Sequence, residues 1–176
     1  MIMRPGQQLL LPANPLFIWS TLLGALSLNM LMNVGLWGRA VWVPDLLAVV
    51  LVFWIVHQPL RIGVGVAFFF GLAMDLHQGA LLGQHALAYT VLGFLALAMQ
   101  RRLLWFAVPT QAVQVLPLLL AMQLLELLVR MIAGGTWPGW LVFLAPVLGA
   151  ALWPVISVLL LGPQRRAPNQ EDDRPI

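Results

Sequence analysis

The chain has 176 residues and carries nine arginines, no lysine, six acids and no cysteine, for a formal net charge of +3. With 61% apolar and only 9% charged residues it is too apolar for a small soluble domain, whose charged share runs near 25% and whose single core could not hide so much hydrocarbon. The missing cysteines exclude disulfides and thiolate metal sites, and the scattered arginines form no basic stripe of the kind that binds nucleic acid.

Long apolar runs make lipid the expected solvent. After MIMRPGQQLLLPANP the first span is expected at Leu16–Leu36, too long for the apolar core of a signal peptide and therefore an uncleaved helix. A second span runs from Val41 or Asp45 to His57, and a third from Arg61 to at least Leu76. The fourth covers Gln84–Met99, the fifth Thr110–Ile132 and the sixth Pro138–Leu161. A polar, proline-containing tail, 162–176, reads as disordered and cytoplasmic beyond a transmembrane domain of 1–161. About 20 residues are needed to cross the hydrocarbon, so spans two to four are short, span two among them with at most about 17. Thinning of the bilayer, entry of polar residues or burial among neighbouring helices would each accommodate it. Five spans is the alternative count.

With six spans, alternate segments hold Arg4, Arg61, Arg101, Arg102, Arg165, Arg166 and Arg174, seven in all, against Arg39 and Arg130 on the other side. The positive-inside rule then puts both termini in the cytoplasm. Trp37, Trp42, Trp137 and Trp140 fall at the outer boundary, and Trp19 and Trp105 toward the inner one.

Intramembrane polar groups fall mostly in the outer half. Asn29 and Asn33 are four apart on span one, where interhelical hydrogen bonding is the simplest role. Pro44-Asp45 reads as a helix start. Gln123, Glu126 and Arg130 share one face of span five, and the acid-first order of Glu126 and Arg130 predicts an ion pair within the helix. Gly71, Asp75, Gly79 and Gly83 recur every four residues, so a helix through them would carry them as one stripe, the glycines admitting close approach, with Gly63 and Gly65 doing the same. Asp75 is costly near hydrocarbon, about 2.5–3.5 kcal/mol at a helix centre, and is a packing or partner-contact residue. Arg61 anchors a cytoplasmic turn. His77 and His85 with Asp75 match no metal motif, the chain offers neither a Ser–His–Asp arrangement nor a phosphate loop, and no cofactor is implied.

The run RIGVGVAFFFGLAMDLHQGALLGQHALAYTVLGF resembles the signature of the rod shape-determining protein MreD family of bacterial inner-membrane proteins, on Arg61, Gly63, Gly65, Gly71, Asp75, Gly79, Leu82, Gly83, Ala86, Leu87, Tyr89 and Gly93. The Pro44-Asp45 turn also resembles the family; elsewhere only hydropathy agrees. The resemblance implies an all-α, six-helix inner-membrane bundle similar to the substrate-binding subunits of energy-coupling-factor transporters. It implies a non-enzymatic scaffold of lateral wall growth that binds MreC and acts indirectly with MreB, RodA and a class B transpeptidase, among membrane lipids. The alternative is a small-molecule-binding subunit of a transporter. Such subunits carry an alanine pair at four-residue spacing on span one, where this chain has Ala25 and Asn29.

Overall fold

The structure, a computed structural model, describes residues 14–33, 41–79 and 82–164. Among these it is all-helical: α1 Pro15–Leu31, α2 Leu46–His57, α3 Val64–Gln78, α4 Gln84–Trp105, α5 Val108–Ile132 and α6 Leu144–Leu161, with short 3-10 turns at Trp140–Phe143 and Gly162–Gln164. The six expected spans thus correspond to six helices. Three segments, Gln84–Trp105, Val108–Ile132 and Trp140–Gln164, are long and apolar enough to cross a membrane, whereas α1, α2 and α3 are shorter. Arg4, Trp37, Arg39 and the tail arginines lie outside the described residues.

α2 explains its own brevity. Its twelve residues rise only about 18 Å. Every residue from Leu47 to Val56 is buried, as expected of a helix apolar all round. It is the central helix of the bundle, packed on α1, α4 and α6. Of the three ways to accommodate a short span, burial among neighbours is the one found. Trp54 closes this core from within, its Nε1–H donating to Thr21 Oγ1 at 2.9 Å and its ring meeting Phe17 and Phe53 edge-on.

Three boundaries move. α4 continues past Met99 to Trp105, so Arg101 and Arg102 stand on its last turns and not in a loop. Arginine is a good helix former and its cation suits the negative C-terminal end of the helix dipole. α5 starts two residues early, with Pro109 in its first turn, where a missing N–H costs nothing. The first three residues of the expected tail form a 3-10 turn whose Gln164 is buried and donates to Leu160 O at 2.7 Å.

The glycine stripe on a single helix is not what forms. α3 stops at Gln78 because Gly79 turns left-handed, φ 60°, and α4 begins after Gly83, φ 104°. The four-residue spacing therefore spans a helix end and the next helix start. A Cβ at Gly79, Gly83, Gly63 or Gly65 would meet nothing within 4 Å, so none of the four serves close approach. Gly79 and Gly83 are there for their positive φ, which glycine adopts without steric cost.

Gly71 does serve it. A Cβ there would sit 2.5 Å from Ala86 Cα, 2.6 Å from His85 O and 2.7 Å from Ala86 N. The α3 backbone thus touches the first turn of α4, and α3–α4 is the most extensive helix contact in the molecule.

Candidate functional site

One turn above Gly71, on the same face, Asp75 is 1% exposed and completes the α3–α4 junction. The first N–H groups of a helix lack partners within it, and Gly83 at the cap of α4 has no side chain to offer. Asp75 supplies what is missing from the preceding helix. Its Oδ2 accepts from Gly83 N at 2.8 Å and Ala86 N at 3.2 Å, and its Oδ1 from His85 N at 2.8 Å. Oδ1 also accepts from His85 Nδ1 at 2.9 Å. A carboxylate only accepts, so Nδ1 carries the hydrogen and Nε2 is left facing α5. There it lies 3.9 Å from Glu126 Oε1, too far for a hydrogen bond.

A second carboxylate ties three helices together, α4 again among them. Asp45 caps α2, accepting from Ala48 N at 3.0 Å, as the Pro44-Asp45 pair predicts. The same carboxylate accepts from Asn29 Nδ2 of α1 at 2.9 Å and from the Tyr89 hydroxyl of α4. Asn29 therefore bonds between helices as expected. Asn33 does not: its Nδ2 donates to Asn29 O, one turn back along its own segment, at 3.0 Å. His77 Nε2 reaches Met30 O at 3.2 Å, joining α3 to α1.

The expected Glu126–Arg130 ion pair is absent among the described residues, in which both ion pairs involve His85. Glu126 is turned toward α4, its Oε1 buried without a hydrogen-bond partner. The stem of Arg130 lies along the turn that ends α5, so that a Cβ on Gly135 would come within 2.7 Å of its Cγ. Both side chains line a cavity of about 890 Å³. Its walls come from the C-terminal ends of α1, α3 and α5 and the N-terminal ends of α2, α4 and the α6 segment: Asn29 and Asn33; His77 and Gln78; Gln123, Glu126 and Arg130; Asp45; Gln84 and His85; Val142 and Ala145. That alternation makes the bundle up-and-down. The polar residues expected in the outer half thus gather at one end, the end at which the short α2 begins. Arg61 is exposed in the turn between α2 and α3, at the other end.

His85 is the residue that sequence reasoning undervalued. It is the link between Asp75 and the α5 face. Its partner is ten residues upstream across a turn, a spacing no helical period announces.

Tyr89 and Asn29 share Asp45. Tyr89→Phe and Asn29→Ala are each expected to cost about 1–3 kcal/mol by leaving a half-buried carboxylate oxygen short of a donor. Thermal unfolding in detergent of the singles and the double should show them to be non-additive; additive losses would separate the two contacts.

Fold and site together define a polytopic helical membrane protein whose carboxylates, Asp75 buried and Asp45 half-buried, fasten neighbouring helices around a polar cavity at one end of the bundle. The family model described as rod shape-determining protein MreD matches residues 13–161, and the chain belongs to that family. A curated relative, the rod shape-determining protein MreD of Haemophilus influenzae, is 26% identical over 148 residues, covering 81% of this chain and 89% of the relative. No solved structure matches. The family assigns the chain a role in rod shape determination.

Proposed function

We propose that the chain is a non-enzymatic scaffold of the bacterial inner membrane that binds MreC. Through it the chain joins the MreB filament inside to peptidoglycan synthesis by RodA and a class B transpeptidase outside. The observation that carries this reading is how Asp75 and Asp45 are used. Between them they accept seven hydrogen bonds, all from this chain. Carboxylates occupied in that way position helices: all four acceptor sites of Asp75 are taken, and three of the four on Asp45. What the fold leaves for a partner is its lipid-facing surface. On α1 Leu16, Trp19, Leu23, Leu28 and Leu31 are exposed. In lipid such a face is available to another transmembrane helix.

Both termini are cytoplasmic in this reading. Arg61, Arg101 and Arg102 stand at the end opposite the cavity and Arg130 at the cavity end, a bias in the direction of the positive-inside rule. Exposed Trp137 and Trp140, in ring contact at 5.5 Å, suit the outer interface. A reporter fused after Ile176 should then be cytoplasmic and one inserted at Gly135 periplasmic. A periplasmic C-terminus would reverse the orientation and place the cavity on the cytoplasmic side.

The cavity volume favours a second reading, a small-molecule-binding subunit of a transporter, since ligand sites commonly measure about 300–1,000 Å³. Against it stands Asn29, which takes the place of the second alanine in the docking pair and is committed to Asp45. Depleting the chain decides between them. A scaffold gives round cells with ordinary solute uptake, and a transporter subunit gives rods that lose uptake of one solute.

A further inference from the structure

We infer that the cavity is a binding site for a zwitterion whose ammonium pairs with Glu126 and whose phosphate or carboxylate pairs with Arg130. Of the three acids in the described residues, Asp75 accepts four hydrogen bonds and Asp45 three, all from this chain, whereas Glu126 makes no hydrogen bond to any described residue. Its side chain is only 12% exposed, with Oε1 held 3.9 Å from His85 Nε2. A carboxylate so enclosed and so poorly paired is costly. A cation with hydrogens to donate is the complement it lacks. Arg130 makes no ion pair with any described residue and lines the same cavity. The two charges are four residues apart on α5, so their backbones are separated by about 6 Å along the helix. Opposite charges at that spacing can pair within the helix. Here both line the cavity unjoined, one acid and one base, the complement of the ammonium and the anionic group of one small molecule. Gln84 and Gln123, side-chain amides in the wall, add donors and acceptors to the cavity.

The chemistry is shared by free aminophosphates or amino acids and by the phosphoethanolamine headgroup of a lipid. The inference is independent of the scaffold reading, because a bound headgroup and a protein partner occupy different parts of the molecule.

The test uses the full chain purified in detergent, with binding followed by calorimetry and thermal shift. The probes are phosphoethanolamine and glycine as zwitterions, with ethanolamine, inorganic phosphate and phosphocholine as single-charge or donor-free controls. Native mass spectrometry from nanodiscs of phosphatidylethanolamine or phosphatidylglycerol supplies the lipid arm. Binding of a free zwitterion well above all three controls supports the site and makes its source a solute. Selective retention of phosphatidylethanolamine without free-zwitterion binding supports it and makes the source a lipid. In either case Glu126→Gln and Arg130→Gln should each weaken the interaction by about tenfold or more, the loss expected for a charged hydrogen bond. Arg102→Gln, at the far end of the bundle, should change nothing. Ethanolamine or phosphate binding as tightly as the zwitterions, retention of both lipids alike, or unchanged binding in both cavity variants would overturn the inference, and so would no binding in any arm.

Discussion

Asp75→Ala is expected to cost about 3–5 kcal/mol, the range for removing one partner from a buried charged network. The loss is large because one carboxylate serves four donors. Gly83 N, His85 N and Ala86 N lose their acceptor together, and His85 Nδ1 loses its partner in the same step. None has a substitute within α4, whose cap residue is a glycine. Native proteins have only about 5–15 kcal/mol in hand. The variant should therefore accumulate poorly and melt far below wild type in detergent. Asp75→Asn keeps the shape and one acceptor oxygen but turns an NH2 toward backbone N–H groups. It should fall between the two. A melting temperature for Asp75→Ala within a degree or two of wild type would show that water or another side chain caps α4.

The second large effect is expected at Gly71, and the contrast among the glycines sharpens it. Gly71→Ala drives a Cβ to 2.5 Å from the Ala86 backbone, which cannot yield as a side-chain tip would. Overpacking costs about 1–3 kcal/mol and occasionally more. With backbone on both sides this case belongs at the upper end. The forced separation also pulls Asp75 off the start of α4, so Gly71→Ala and Asp75→Ala should be less than additive. Gly79→Ala should cost about 1–2 kcal/mol through its left-handed φ alone. Gly65→Ala, inside α3 with open space around it, should be neutral or stabilising by up to about 1 kcal/mol. Unfolding measurements on the four variants check the order. Equal losses at Gly71 and Gly65 would mean that α3 and α4 do not touch at Gly71.

The long helices were legible in the sequence because lipid leaves one solution for an apolar run, whereas the burial of α2 was only one of three ways its short length could be accommodated. Asp45 was legible because an N-cap is a local event written in adjacent residues. Asp75 was legible as important but not as a cap, since the donors it serves lie eight to eleven residues downstream, beyond a turn. Gly79 and Gly83 were misread because a spacing of four looks the same whether one helix continues or one ends and another begins; only the sign of φ distinguishes them. Glu126 and Arg130 were misread because their helical spacing permits a pair without requiring it. The packing of α4 and the turn after Ile132 decided where those side chains went.

The central claim is that this chain, a member of a rod-shape family, acts by holding a protein partner in the membrane. The most direct measurement is its purification from native membranes under mild detergent, with identification of what comes with it. The account predicts a single-span protein with a large periplasmic domain, MreC, in near-equal amount. Recovery of the folded chain with no such protein would contradict the account, and a transporter's energising subunits in its place would establish the other reading.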